Sequence, residues 1–211
     1  MSGATMTQTE LLYAYFGAGT VSVPTTTPGS SMTLGYPPIT VPGGYMSSAG
    51  EHSSSLKLVG GGLLIATATV PTFQFSLWRT MAQPAAWAAS GSAVLVGQTA
   101  ILAAPAVTTG CWFDMEWNIG LRTPGVVASA GTSASSTVTC IGKVSITEVA
   151  ILSTAGDDLV GTIPAAGATY TPTDTTWPQD QQVYLWPTLS LGAATAGNTT
   201  TMEWLKLYGE N

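Results

Sequence analysis

The sequence predicts an all-β protein built as an antiparallel β-sandwich, and three observations lead to this fold class. The segment from Cys111 to Thr123, CWFDMEWNIGLRT, places apolar residues at odd positions and mostly polar residues at even positions. Side chains on a strand point alternately to opposite faces, so this segment is a strand with one buried face and one solvated face. About eight such strands follow residue 50, at spacings typical of a sandwich. No repeat of about 20 to 50 residues indicates a propeller or solenoid.

The two faces of this strand have different predicted roles. The odd face is expected to line the core of the sandwich, because it is almost wholly apolar. Besides Cys111, it contains Phe113, Met115, Trp117, Ile119 and Leu121. The even face is expected to meet solvent or a neighbour, and it contains Trp112, Asp114, Glu116, Asn118 and Arg122.

Residues 1–50 are predicted to form an extended N-terminal arm or a small subdomain, followed by the sandwich domain over residues 51–211. No charged residue occurs between Leu11 and Gly50, and five prolines interrupt that stretch. Short strands are predicted at Leu11–Phe16 and Met32–Val41. Apolar side chains left in water are costly, so the arm is expected to lie on its own domain or on a neighbouring subunit.

The remaining elements follow from alternation and from turn signals. After residue 50, strands are predicted at Ser54–Val59, Leu63–Val70, Phe73–Arg79, Ala93–Ala103, Cys111–Thr123, Thr137–Leu152, Gln182–Leu191 and Thr199–Tyr208. Loops are predicted at Met81–Ser92, Ala128–Ser136 and Asp157–Thr176. Three glycines, Gly60 to Gly62, separate the first two strands and predict a bulge or a sharp bend.

The low charge of the chain indicates a surface that other subunits cover. Charged residues make up 8% of the sequence, compared with about 25% in an ordinary domain. Gly, Pro, Thr or Ser interrupts every apolar run, which excludes a membrane-spanning helix, and the content of Trp, Leu, Ile and Val excludes disorder. A net charge of −6 argues against a nucleic-acid partner.

The cysteines and the N-terminus predict synthesis in a cytoplasm. Cys111 lies on the apolar face of its strand, which favours a buried free thiol, and two cysteines do not form a disulfide framework. A bond between Cys111 and Cys140 would need facing strands and an oxidising compartment. The first residues, MSGATMTQTE, lack the basic segment and apolar core of a signal peptide.

No catalytic, metal or cofactor site is predicted. His52 is the only histidine and is expected to lie in a solvated loop, whereas a Ser/His/Asp triad would need it beside a nucleophile. Asp114 and Glu116 share a face about 7 Å apart, close to the separation in paired-carboxylate glycosidases, but a solvated strand face explains them as well. Asp157 and Asp158 offer too few neighbouring oxygen ligands for a calcium site.

Aromatic residues on the outward parity are the candidate interaction residues. Such residues mark a second buried face, a subunit interface or a carbohydrate platform, and the low charge favours subunit contact. Trp204 and Tyr208 share a parity on the last strand. Together with the apolar cluster of the arm, the candidate interface consists of Leu11, Leu12, Tyr13, Tyr15, Phe16, Trp78, Trp112 and Trp186.

The order and character of these segments resemble a known family. SSLKLVGGGLLIATATVPTFQFSLWR is followed by a loop with Trp and Ala, GCWFDMEWNIGLRTPG, a Gly-Lys strand and a closing AGNTTTMEWLKLYGEN. Over residues 53–211 this is similar to the jelly-roll virion proteins of tailed bacteriophages, most clearly at Leu121-Arg122-Thr123 and Gly197-Asn198-Thr199. The resemblance implies an eight-stranded jelly roll, a homotrimer and no catalytic activity.

The sequence therefore predicts a structural virion protein that binds the major capsid protein on the outer surface of the capsid as a decoration, cement or minor capsid protein. It is expected to be made in the host cytoplasm and to need no cofactor, membrane or nucleic acid. One alternative is a receptor- or glycan-binding module of a head or tail fibre that uses the outward tryptophans. Another is a depolymerase-type enzyme that uses Asp114 and Glu116.

Overall fold

The computed structural model describes residues 9–22, 39–46, 55–66, 72–81, 93–103, 107–123, 135–148, 159–163, 175–178, 181–191 and 198–210. Within these ranges the chain forms twelve strands and no helix. In particular, these ranges contain no helix that is long and apolar enough to span a membrane. The strands are β1 (Thr9–Ser22), β2 (Ile39–Val41), β3 (Ser55–Ala66), β4 (Thr72–Thr80), β5 (Val94–Gln98), β6 (Leu102–Ala103), β7 (Val107–Thr123), β8 (Ser135–Glu148), β9 (Leu159–Ile163), β10 (Thr175–Pro178), β11 (Val183–Leu191) and β12 (Thr199–Glu210).

The strands form two antiparallel sheets, which confirms the predicted all-β class. The large sheet has seven strands in the order β1-β12-β3-β7-β8-β10, and β9 also pairs with β8. The small sheet has five strands in the order β2-β11-β4-β5, and β6 pairs with β4. Neighbours in sequence are often not neighbours in a sheet, so most of the pairing is long-range.

Strand β7 supplies the centre of the core from the large sheet, as its alternation predicts. Its odd residues from Cys111 to Ile119 are at most 2% exposed, and Leu121 near the end of the strand is half-buried. Phe113 meets Phe75 of β4 with ring centroids 5.4 Å apart. Burying a side chain of this size contributes roughly 1.5–3 kcal/mol.

The small sheet faces this core with the apolar parity of β4 and β11. Phe73, Phe75 and Leu77 are at most 1% exposed, as the alternation of β4 predicts. Val183, Leu185 and Leu189 of β11 are buried beside them. Cys111 and Cys140 are both buried free thiols, and burial raises the pKa of the Cys140 thiol to about 12.

The three glycines lie within one strand, so the prediction of two strands separated at Gly60–Gly62 is wrong. Strand β3 runs through them without a break. A Cβ on Gly62 would lie 1.9 Å from the carbonyl oxygen of Thr201, so the backbones of β3 and β12 approach too closely for any other residue. A bulge does occur here, but in β12, where the register shifts between Met202 and Trp204.

The described part of the first fifty residues belongs to the two sheets. Strand β1 pairs with β12 at the edge of the large sheet, and β2 pairs with β11 at the edge of the small sheet. Ile39 and Val41 are fully buried in the shared core. Strands β1 and β2 therefore belong to the two sheets, although both lie before residue 51.

Other boundaries differ from the prediction because short strands carry little periodicity. The predicted strand Ala93–Ala103 is two strands, β5 and β6, and both pair with β4. Strands β9 and β10 overlap the predicted loop Asp157–Thr176, where Asp, Gly and Pro suggested only turns. His52, Asp157, Asp158 and most of the loops predicted at Met81–Ser92 and Ala128–Ser136 lie outside the described residues.

The contact at Gly62 yields a direct test. Gly62→Ala is expected to lower the free energy of unfolding by about 1–3 kcal/mol, because β3 and β12 must separate to admit the methyl group. Gly120→Ala in the neighbouring strand β7 is the matched control, since a Cβ there meets nothing within 4 Å. That variant should be neutral or slightly stabilised. Denaturant unfolding with equal stability for both variants would contradict the close approach.

Candidate interaction surface

The candidate site lies on the outer face of the large sheet. It is a row of cross-strand neighbours that crosses five strands. Phe16 of β1 lies opposite Trp204 of β12, which lies opposite Gly61 of β3. The row continues through Asp114 of β7 to Ser145 of β8. Neighbouring strands lie about 4.8 Å apart, so side chains along such a row contact one another.

A bulge in β12 is what turns Trp204 and Lys206 outward. Before the bulge the even residue Met202 is fully buried, whereas after it the odd residues Leu205 and Leu207 are fully buried. The extra residue at the register shift therefore exchanges the two faces of the strand. Without it, Trp204 and Lys206 would share the inward parity of Met202.

Lys206 lies beside two aromatic rings on this face. Its Nζ atom is 5.2 Å from the ring centroid of Phe16 and 6.0 Å from the ring of Trp204. A cation at this distance is attracted to the negative face of an aromatic ring. Phe16 is 69% exposed, whereas Trp204 and Lys206 are half-buried, so solvent reaches the cluster of Phe16, Trp204 and Lys206 mainly at Phe16.

Gly61 leaves a gap in the row that two polar groups approach from opposite sides. The point where its Cβ would stand is 2.7 Å from Oδ1 of Asp114 and 2.9 Å from Nε1 of Trp204. The indole therefore reaches over β3 towards the carboxylate. A side chain at this position would displace both groups.

Glu116 is held by a polar network in the adjacent row. Its Oε1 atom accepts a hydrogen bond from Nδ2 of Asn118 at 3.0 Å and lies 3.2 Å from Nζ of Lys57. The hydrogen bond from Asn118 lowers the pKa of the Glu116 carboxyl, and the charges of Lys57 and Lys143 act in the same direction.

This network bears on the enzyme alternative. Asp114 and Glu116 do share the outer face, as their parity predicts. A general acid in a paired-carboxylate glycosidase needs a raised pKa, and the environment of Glu116 produces the opposite shift. The surroundings of Glu116 are therefore unlike those of the general acid in such a pair.

The three tryptophans selected from the sequence do not form one groove. Trp78 and Trp186 are cross-strand partners on the outer face of the small sheet, whereas Trp112 lies opposite Leu63 on the large sheet. Nε1 of Trp78 donates to Oγ1 of Thr188 at 3.1 Å. The three residues therefore cannot act as one binding platform.

The expectation that Trp186 is exposed is wrong, because it has no exposed surface. Its neighbours on the same outer face are also buried, with Ser76 2% exposed and Thr188 1% exposed. Alternation identifies the face on which a residue lies. It does not tell whether that face is covered.

The apolar cluster of β1 is divided between the two faces of its sheet. Leu11 and Phe16 are 54% and 69% exposed. Leu12, Tyr13 and Tyr15 are half-buried and pack against the core, and burial raises the pKa of Tyr13 to about 12, with a smaller contribution from Tyr15. Only Leu11 and Phe16 of this predicted group therefore offer a free surface.

Sequence reasoning found that Trp204 shares a parity with Tyr208, but it did not include Trp204, Lys206 or Gly61 among the candidate interface residues. Lys206 shares its parity, which was a readable signal. Phe16 and Gly61 reach the site only through the pairing of β12 with β1 and β3, because in sequence they lie almost the whole chain and about two thirds of the chain away from Trp204. In the described part of the chain, no three His, Cys, Asp or Glu residues are grouped as metal ligands would be.

Comparisons with known proteins found no match for this chain. No protein-family model matches it. No curated protein matches its sequence. No solved structure matches its fold.

The lowered pKa of Glu116 gives a pH-dependent prediction. Folding favours the carboxylate, so its contribution to stability is present above the pKa of an unfolded glutamate, about 4.3, and is lost as the pH falls through the lower folded value. Glu116→Gln should lower the free energy of unfolding at pH 7 by less than about 1 kcal/mol, because the pair is at the surface.

Urea titrations of the wild type and Glu116→Gln between pH 3 and pH 7 measure this effect. The difference between the two proteins should shrink towards zero at the acidic end. Asp114→Asn, on the same face but outside the contact with Lys57, is the control for loss of a surface charge. A difference that grows as the pH falls would contradict the network.

Proposed function

We propose that the chain is a non-catalytic structural protein of a tailed-phage virion that binds the outer surface of the capsid as a homotrimer. Its mechanism is binding alone. The edge of the large sheet and other uncharged surface contact sister subunits and the major capsid protein, and the sandwich provides the rigid support. One observation carries the proposal, namely the nested pairing of eight strands that ends in an exposed edge strand, β1, with a single charged residue.

The order of strand pairing supports a jelly roll. When β6 and β8–β10 are set aside as insertions, eight strands remain. The first pairs with the last (β1 with β12), the second with the seventh (β2 with β11), the third with the sixth (β3 with β7) and the fourth with the fifth (β4 with β5). A long hairpin of four pairs rolled into two sheets gives this order. It supports the jelly roll that the sequence resemblance implies.

Strand β1 supports assembly because it lacks the usual protection of an edge. Edge strands normally carry lysine or proline or are short, since their unpaired backbone groups attract other strands. Strand β1 has 14 residues, contains neither lysine nor proline, and bears Glu10 as its one charged residue. Its bulges bend the edge, but Leu11 remains 54% exposed.

The composition supports burial of a large surface in an assembly. Charged residues make up 8% of the chain, and a low surface charge favours association. Obligate interfaces bury roughly 2,000 Å² or more and are richer in apolar area than ordinary surfaces. Since a fold does not define a function by itself, the capsid as partner rests on the resemblance in strand order together with this surface.

Mass measurement and shell binding test the proposal. Native mass spectrometry of the purified chain should give three times the 21.6 kDa of one chain. The trimer should co-sediment with empty shells of the major capsid protein from the same phage and raise their disassembly temperature. Leu11→Asp should reduce trimer formation and shell binding, because a carboxylate would be desolvated at the edge of β1.

The control for this variant is Ile101→Asp, which changes a 63% exposed apolar side chain between β5 and β6. It should leave assembly unchanged. Both variants should keep the far-ultraviolet circular dichroism of the wild type, since neither residue is in the core. A stable wild-type monomer that never joins particles would remove the proposal.

A further inference from the structure

We infer that the row on the outer face of the large sheet binds an acidic polysaccharide, whose sugar carboxylates contact lysine and whose rings stack on the aromatic residues. We call Phe16, Trp204, Lys206 and Asp114 the row site. This binding goes beyond the proposed capsid role and does not depend on it.

The aromatic part of the row site suits the apolar face of a sugar ring. Phe16 is 69% exposed, and Trp204 lies beside it across the β1–β12 pair. Large aromatic side chains offer a broad apolar surface at a low cost in conformational entropy. Gly61 adds to this surface, because the absent side chain lets the indole reach across β3.

The lysines of this face favour an anionic partner. The chain has a net charge of −6, yet three lysines whose side chains the structure describes lie on this one face. They are Lys57 of β3, Lys143 of β8 and Lys206 of β12. Lys57 is paired with Glu116, whereas Nζ of Lys206 lies 5.2 Å from the ring centroid of Phe16 and 6.0 Å from that of Trp204. The positive charge therefore stands beside the stacking surface.

The carboxylates of the same face favour a sugar over a nucleic acid. Asp114 is exposed in the row, and an ionised carboxylate can only accept hydrogen bonds. Sugar hydroxyls can donate to it while a sugar carboxylate contacts Lys206, whereas a single-stranded nucleic acid carries a phosphate at every nucleotide, and Asp114 repels each phosphate that comes near it. A ligand with both hydroxyl donors and dispersed carboxylates satisfies Asp114 and Lys206 together.

Titration calorimetry with short oligosaccharides tests this inference. The probes are oligogalacturonate and sialyllactose as acidic sugars, with maltohexaose as a neutral sugar and oligo-dT as a nucleic acid. The wild type should bind at least one acidic sugar, and more weakly as salt is raised, because the lysine contact is screened. Lys206→Gln should remove the preference for the acidic sugar over the neutral one.

Trp204→Ala should weaken binding by about tenfold or more, the effect of losing one stacking contact. Trp112→Ala is the matched control, since Trp112 is a half-buried tryptophan on the same face but outside the row. It should stay within about twofold of the wild type. Trp204→Phe, which keeps an aromatic ring, should retain binding if the alanine variant is destabilised.

The outcomes separate this inference from the proposed capsid role. Leu11→Asp protein should still bind the short sugars even when it fails to assemble. Three results would overturn the inference: binding of none of the acidic sugars, equal binding by Trp204→Ala, or binding of oligo-dT alone. None of these would affect the test of trimer formation and shell binding.

Discussion

The packing of β7 against the small sheet is the constraint on which the rest of the molecule depends. Phe113 meets Phe75 across the two sheets, and the odd residues of β7 are buried around this contact. A slip of one residue would exchange the two faces of the strand and bury Asp114 and Glu116. The core therefore fixes the register of β7, and through it the positions of β3 and β8 on either side.

Close contact between neighbouring backbones fixes the register of the strands that form the row on the outer face. Gly62 and Gly142 stand where a Cβ would lie 1.9 Å and 2.0 Å from a carbonyl oxygen of the neighbouring strand. The backbone of β3 is therefore in close contact with β12 at Gly62, and that of β8 is in close contact with β7 at Gly142. The bulge in β12 follows directly after Met202, which is the residue opposite Gly62, and it sets the outward direction of Trp204 and Lys206. The cluster of aromatic residues and lysine is thus a consequence of backbone packing.

Alternation was sufficient to predict which face of a single strand is buried. It could not predict which strands pair or where a bulge shifts their register. The buried faces of β4 and β7 were read correctly because a long period-two pattern is unambiguous. The bulge in β12 leaves no such pattern, and the partners of β1 and β3 are distant in sequence. Trp186 shows a second limit, because its side of the small sheet is buried although its parity is outward. Of the row on the large sheet, only Phe16 was among the interface residues predicted from the sequence.

The two outer faces of the sandwich differ, and this difference bears on how the chain could sit in an assembly. On the small sheet, Trp186 and Thr188 are at most 1% exposed. On the large sheet, Asp114 and Lys143 are exposed although charged residues are scarce in the chain. Charged groups keep their hydration only on a face that stays in solvent. An assembly that contacts the edge at β1 and leaves the outer face of the large sheet open would keep these charged groups hydrated. It would also keep the lysines of that face available to a ligand.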